Sequence, residues 1–213
     1  MYLSELKEMI EGGEDSKVEF KRKFSSQEKI AKEMIAFANS GGASILFGID
    51  DDKTIKGVES EKGELELITT AAKFYCEPEI YFYTDIMLLK NKDIVVVHIQ
   101  ESNKKPHRLV TEDDSKEIKA YVRLNDKSVL ASKETIKILR NSNHDSPPVK
   151  VSIGIIEKAL FDYLNLNEKI TVKGFKKLVN ISERRASRTL VNLVKAQIIR
   201  HHYFGNEEFF TLI

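Results

Sequence analysis

Acidic, basic and glycine residues that are suited to chemistry are concentrated in the first quarter of the chain. The segment 14–21, EDSKVEFK, combines spaced carboxylates with Lys21, and the segment 36–42, AFANSGG, ends in two glycines. The segment 46–51, LFGIDD, adds further carboxylates. Because carboxylates can hold divalent cations and lysine can neutralise a phosphate, this unit is suited either to nucleic-acid binding or to phosphodiester chemistry.

A second group of candidate residues lies near the C-terminus. A helix predicted to start after Ser182 carries three arginines and two small hydroxyl residues in its first two turns, and the preceding helix carries three lysines. In a winged helix these positions face the DNA, where arginine reads guanine, serine holds phosphates and lysines contact the backbone. The predicted nucleic-acid contacts are Arg184, Arg185, Ser187, Arg188, Lys173, Lys176 and Lys177. The alternative is a protein-binding winged helix whose basic surface is only solvated.

The distribution of charge along the chain supports a polyanionic partner for the tail. The whole chain carries a net charge of +1, but residues 150–213 hold 11 Lys and Arg against 6 Asp and Glu. The first 149 residues hold 23 against 27. A basic excess of this size favours nucleic acid, although it is also compatible with a solvated surface.

Length and composition predict a water-soluble protein of two domains. The 213 residues are 31% charged and 41% hydrophobic, and they contain no apolar run of about 18 residues, so no membrane partner is expected. The N-terminus lacks the pattern of a secretory signal, which predicts a cytoplasmic protein. Cys76 is the single cysteine, which excludes an intramolecular disulfide and a cysteine-based zinc cluster.

Hydrophobic periodicity predicts alternating helices and strands up to residue 140. We expect helices over 2–11, 27–39, 60–75 and 132–140, and strands over 18–21, 43–49, 80–88, 93–100 and 119–124. The segment 141–149, NSNHDSPPV, has the composition of a linker. Beyond it, we expect helices over 152–165 and 171–179, a third helix after Ser182, and a hairpin of 199–202 with 208–212. Three helices and a two-stranded ribbon form a winged helix-turn-helix.

Five motifs in order along the first part of the chain resemble the Schlafen AlbA-type domain, also described as a divergent ATP-binding or DNA-binding domain. They are Glu14 with VEFK at 18–21, AFANSGG at 36–42, FGIDD at 47–51, Gly57, and YVRL at 121–124. The resemblance covers roughly residues 3–140 and implies an α+β fold of two similar halves. In microbes this domain is often fused to a winged helix in transcriptional regulators. The predicted domains are therefore a Schlafen-like mixed α/β domain at 1–140, a linker at 141–149 and a small winged-helix domain at 150–213.

The resemblance also implies a second activity, because some animal members of the family cleave RNA through three acidic residues. These correspond to Glu14, Glu19 and Asp51, which would hold Mg²⁺ or Mn²⁺ as catalytic ligands, with Lys21 on the same strand face as Glu19. The alternative is that Glu19 and Lys21 form an ion pair on a solvated strand, while Asp51 and its neighbours simply make a turn.

Asn39, Gly41 and Gly42 form a weak candidate for cofactor binding. Backbone N–H groups of a glycine turn can hold a phosphate, but the Walker sequence is absent and the turn follows a helix C-terminus, where the helix dipole disfavours anions. ATP binding is therefore not expected, and a helix C-cap is the preferred interpretation. Arg22, Lys23 and Arg123 are predicted to line a basic groove of the first domain.

Together these observations favour a DNA-binding transcriptional regulator, with no certain cofactor. We expect a homodimer, because winged helices commonly read palindromic sites. The alternative is a metal-dependent endoribonuclease that cleaves structured RNA such as tRNA, in which the winged helix grips the substrate.

Overall fold

The computed structural model describes residues 1–110, 118–142, 151–204 and 207–213. The chain divides into two compact units, Met1–Ala131 and Ser132–Ile213. The sequence predicts the end of the first domain at residue 140, so the helix predicted over 132–140 lies in the second unit instead. Most of the predicted linker, residues 143–149, lies outside the described residues.

The first unit contains three helices and eight strands among its described residues. In chain order they are α1 (Leu3–Gly12), β1 (Val18–Lys21), α2 (Gln27–Asn39), β2 (Ala43–Phe47), α3 (Glu61–Phe74), β3 (Cys76–Glu77), β4 (Phe82–Leu89), β5 (Lys92–Ile99), β6 (Arg108–Leu109), β7 (Tyr121–Leu124) and β8 (Lys127–Leu130). This is the α+β fold that the sequence predicts.

A four-stranded mixed sheet forms the centre of this unit, in the order β1-β2-β5-β4. β1 runs parallel to β2, whereas β5 is antiparallel to both of its neighbours. Val95 and Val97 of β5 pack in a cluster with residues of α2 and α3, while Ile94 and Val96 pack in a second cluster with residues of α1. A strand that is buried on both faces needs a continuous apolar run, which explains the sequence IVVV at 94–97.

Capping contacts fix both ends of α2. The Ser26 hydroxyl accepts a hydrogen bond from the backbone N–H of Lys29 and so caps the start of α2. At the other end, the N–H of Gly42 donates to the carbonyl of Phe37 over 2.9 Å, which is the six-to-one bond of a Schellman motif. Gly41 and Gly42 have φ angles of 90° and 72°, a region that favours glycine.

The described residues of the second unit form four helices and a two-stranded antiparallel ribbon. These are α4 (Lys133–Asn141), α5 (Ile155–Asn167), α6 (Val172–Leu178), α7 (Glu183–Lys195), β9 (Ile199–Phe204) and β10 (Glu207–Leu212). The two strands are antiparallel, and Ile170 forms an isolated bridge with Phe210. Apolar side chains of α5, α6, α7 and the two strands form one core that includes Leu160, Phe175 and Leu190.

Polar contacts join α4 to the rest of the second unit. The Glu208 carboxylate accepts hydrogen bonds from the hydroxyls of Ser132 at 2.8 Å and Thr135 at 2.9 Å. On the next turn, Lys137 Nζ donates to the Ser187 hydroxyl of α7 over 2.7 Å. These contacts explain why α4 belongs with the C-terminal elements. None of the described helices is long and apolar enough to cross a membrane.

Candidate nucleic-acid interface

Six cationic side chains form an exposed surface on α6 and α7, here called the basic face. Its members are Lys173, Lys176, Lys177, Arg184, Arg185 and Arg188, and all six are exposed. The connection between the two helices is short, since α6 ends at Leu178 and α7 begins at Glu183. Within it, Asn180 adopts a φ of 50°, and the Ser182 hydroxyl caps α7 by accepting from the N–H of Arg185. This turn places the end of α6 beside the start of α7, where Lys176 reaches Glu183.

The helical period of α7 separates its arginines from its core side chains. Ala186, Leu190 and Leu193 are fully buried in the hydrophobic cluster of the second unit. Arg184 and Arg188, four residues apart, share a face of the helix, and the arginines project to solvent. Lys176 Nζ lies 3.5 Å from Glu183 Oε2, an exposed pair that contributes little to stability and leaves the lysine accessible.

Ser187 is the exception among the predicted contacts of α7. Its side chain is buried, and its hydroxyl accepts from Lys137 Nζ while donating to Glu134 Oε1, each over 2.7 Å. The prediction that Ser187 contacts nucleic acid is therefore wrong for this conformation, because the hydroxyl points inward to α4. Its position between Arg184 and Arg188 suggested the opposite.

Arg123 organises a buried charge network in the first unit. One terminal nitrogen lies 2.9 Å from Glu19 Oε2, and the other lies 3.1 Å from Glu33 Oε2. The guanidinium also lies over the ring of Phe37, 4.6 Å from its centroid, and its side chain is only 3% exposed. The prediction that Arg123 lines a nucleic-acid groove is wrong, because two carboxylates and an aromatic ring enclose the cation.

Glu33 and Ser128 complete this network, and neither was predicted from the sequence. The Ser128 hydroxyl donates to Glu33, and Arg123 also donates to the Ser128 oxygen over 3.1 Å. Burial raises the pKa of Glu33, against the lowering effects of Ser128 and Arg123. A signal was present in the sequence: Glu33 lies three residues after Ile30 and four before Phe37, so it shares a helix face with core residues.

The three family-implied carboxylates occupy different surroundings. Glu19 is buried and also pairs with Lys21, so both of its oxygens accept from cations. Glu14 is exposed, and its Oε1 accepts from the backbone N–H of Phe20 over 2.8 Å. Asp51 is exposed in the turn after β2. Within the described residues, no three Asp, Glu, His or Cys side chains form a group that could hold a metal ion. These side chains, as placed, do not fit a divalent cation.

Asn39, Gly41 and Gly42 are engaged within the protein. The Asn39 amide donates to the carbonyls of His107 and Tyr121 at 3.0 and 2.9 Å, and its oxygen accepts from the N–H of His107. The Lys17 ammonium binds the carbonyls of both glycines. A Cβ on Gly42 would lie 2.7 Å from the carbonyl oxygen of Ile99. These contacts describe a packed turn in which both N–H bonds of the Asn39 amide are used within the protein.

Arg22 and Lys23 remain exposed, as the groove prediction requires. They line an open cleft of about 460 Å³ together with Lys56, Ser60 and Glu64. Glu64 is buried and accepts from the N–H of Phe24 over 3.0 Å, which fixes the segment after β1. The first unit therefore offers a cleft with a small excess of cations, because Arg22, Lys23 and Lys56 outnumber Glu59 and Glu64, and Arg123 does not line it.

The family model described as Schlafen, AlbA_2 matches residues 14–132, more than half of the chain. The chain belongs to this family. The match ends next to the boundary between the two compact units, so the Schlafen AlbA_2 domain corresponds to the first unit and α4 lies outside it. None of the curated proteins matches this sequence.

Two solved structures resemble this Schlafen AlbA_2 protein. The DIP2311 protein from Corynebacterium diphtheriae superposes with a TM-score of 0.52 at 10% identity, over 88% of this chain and 36% of that one. The N-terminal domain of a RecG-related protein from Nitrosomonas europaea gives a TM-score of 0.44 at 16% identity, over 59% of this chain and 94% of that one. The first likeness concerns the fold alone, and this chain spans about a third of that protein's length.

Proposed function

We propose that this Schlafen AlbA_2 protein binds nucleic acid, with duplex DNA as the preferred form, and that it acts as a transcriptional regulator. In this proposal the second unit is a winged helix, α7 enters the major groove, and α6 lies over the phosphate backbone. The cationic cleft at Arg22 and Lys23 of the first unit supplies additional phosphate contacts.

The observation that carries the proposal is the exposure of Arg184, Arg185 and Arg188 in the first two turns of α7, beside the lysines of α6. Arginine binds guanine through two parallel hydrogen bonds and also pairs with phosphates. Three arginines near one helix start, on a helix anchored by buried Ala186 and Leu190, match the position from which helix-turn-helix proteins read bases. Family membership supports a nucleic-acid partner in general.

The proposal is tested by measuring binding of duplex DNA by fluorescence anisotropy across a range of salt concentrations. The triple variant Arg184→Ala, Arg185→Ala, Arg188→Ala should lose most of the affinity, and the slope of log affinity against log salt should become shallower by about one for each phosphate contact removed. Lys158→Ala, which removes an exposed cation from α5, is the control. Unchanged affinity in the triple variant would refute a role for α7.

The endoribonuclease alternative makes an opposite prediction about Glu19. Incubation with tRNA and Mg²⁺ or Mn²⁺, with EDTA as a control, should leave the RNA intact if the regulator proposal is correct. Cleavage that is lost on chelation and in Glu19→Gln would favour the nuclease. Because Glu19 also pairs with Arg123, circular dichroism must show that this variant is folded.

A further inference from the structure

The edge strand β4 lacks the features that usually protect a sheet edge. It is eight residues long, and in the described part of the chain it pairs with β5 alone. Tyr83, Ile86 and Leu88 are 55%, 51% and 63% exposed. The strand contains no lysine, proline or glycine, and its one charged residue, Asp85, lies 3.1 Å from His98 Nε2. Natural proteins rarely leave such an edge without a partner.

The opposite edge of the same sheet is protected. β1 has four residues, and its two charged side chains, Glu19 and Lys21, pair with each other. Short strands and charges are devices that prevent strand addition. In the described part of this sheet, β4 is therefore the one unprotected edge, and a contact between two identical edges closes on itself instead of growing into a fibre.

We propose that two copies of this chain associate through antiparallel pairing of β4 with β4, which joins the two four-stranded sheets into one eight-stranded sheet. This inference is independent of the nucleic-acid proposal, because it concerns a different surface. It gives the expected homodimer a specific interface.

Charge and overlap select one register for this pairing. Side chains opposite each other must lie on the same face, so the two-fold axis passes through a residue and not between two residues. The most central residues of β4 are Thr84, Asp85, Ile86 and Met87. An axis at Asp85 places two carboxylates opposite each other, which is unfavourable. An axis at Thr84 pairs only residues 82–86 and an axis at Met87 only residues 85–89, whereas an axis at Ile86 pairs residues 83–89. The register centred on Ile86 is therefore the one that we propose.

The charges that flank the strand favour a second copy as the partner. The exposed Glu79 precedes β4, and the exposed Lys90 and Lys92 follow it. In the Ile86 register, the basic end of one strand lies beside the acidic start of the other, at both ends of the interface. The strand is thus complementary in charge to its own antiparallel copy.

The molar mass in solution tests this interface. Wild-type protein at about 100 µM should be a dimer by light scattering, and Ile86→Lys should raise the dissociation constant at least tenfold. Leu166→Lys, which changes an 84% exposed leucine of α5, should remain dimeric. Thermal melting of each variant checks that it is folded. A monomeric wild type, or a folded Ile86→Lys variant that is still dimeric, would overturn the proposal.

Cysteine cross-linking tests the register. Opposite residues of an antiparallel pair have Cα atoms about 4.5–5.5 Å apart, within the range for a disulfide. Ile86→Cys should therefore give a covalent dimer under mild oxidation, whereas Leu88→Cys, which lies opposite Thr84, should not. The natural Cys76 does not interfere, because it is 3% exposed. Equal cross-linking of the two variants would reject this register.

Discussion

Arginine has opposite roles in the two units of this protein. In the first unit, Arg123 is enclosed by Glu19, Glu33 and the ring of Phe37, and its side chain is 3% exposed. In the second unit, Arg184 and Arg188 project from α7 to solvent. A buried cation that is paired with carboxylates is committed to the fold, whereas an exposed cation on an anchored helix is available to a ligand. The comparison shows that residue type alone does not separate the two roles.

The largest expected effect comes from Arg123→Ala. The change leaves Glu19 and Glu33 without their shared cation, and breaking a buried ion pair costs about 3–5 kcal/mol of the free energy of unfolding. Urea denaturation measures this loss. Arg22→Ala, which removes an exposed arginine of the same unit, is the control and should change stability by less than about 0.5 kcal/mol. A similarly small effect of Arg123→Ala would mean that the network does not stabilise the first unit.

Gly42→Ala tests whether the Gly-Gly turn, like Arg123, is needed for the stability of the first unit. An added Cβ would meet the Ile99 oxygen at 2.7 Å and the Glu101 nitrogen at 2.8 Å, at a φ of 72°. We expect a loss of about 2–3 kcal/mol of the free energy of unfolding. Gly12→Ala is the control, because a Cβ there meets no atom within 4 Å. Equal stability of the two variants would contradict this interpretation of the turn.

Arg188→Ala should show the reverse behaviour of Arg123→Ala. We expect a loss of about 1–3 kcal/mol in the free energy of DNA binding if Arg188 contacts a base. The free energy of unfolding should change by less than about 0.5 kcal/mol, since the side chain is exposed. Anisotropy and urea denaturation of the same preparation give both quantities. A large loss of stability would place Arg188 in the same class as Arg123.

The smallest expected effect is a pH dependence of the free energy of unfolding that is caused by His107. Burial lowers the pKa of this imidazole, whose Nδ1–H donates to the Pro78 carbonyl and whose Nε2 accepts from the Ser102 hydroxyl. As the pH falls below about 6.5, the unfolded state binds a proton that the folded state does not, so stability decreases, by at most about 1.4 kcal/mol per pH unit. Melting temperatures of wild type and His107→Gln between pH 7.5 and 5.5 measure this; parallel curves would contradict the assignment.

The sequence predictions agree with the structure where neighbouring residues decide the result, and they disagree where the interacting residues lie far apart in sequence. The strand predicted over 93–100 and the helix predicted over 27–39 correspond to β5 and α2, because hydrophobic periodicity is a local signal. The family assignment is confirmed by the match over residues 14–132. Arg123 and Ser187 were misassigned, because their partners lie far away in sequence: Glu19 and Glu33 in one case, α4 in the other. The nucleic-acid role of the basic face remains a prediction.

The sequence by itself determined the longer helices and strands, the family, and the arginine-rich start of α7, because periodicity and spaced motifs act over a few residues. It did not predict the short strands β3, β6 and β8. Tertiary structure alone decided that Glu19 pairs with Lys21 and Arg123, that Glu33 joins them, and that α4 belongs to the second unit. Whether a charge faces solvent or another charge depends on which segments the fold brings together, and that information is distributed over the whole chain.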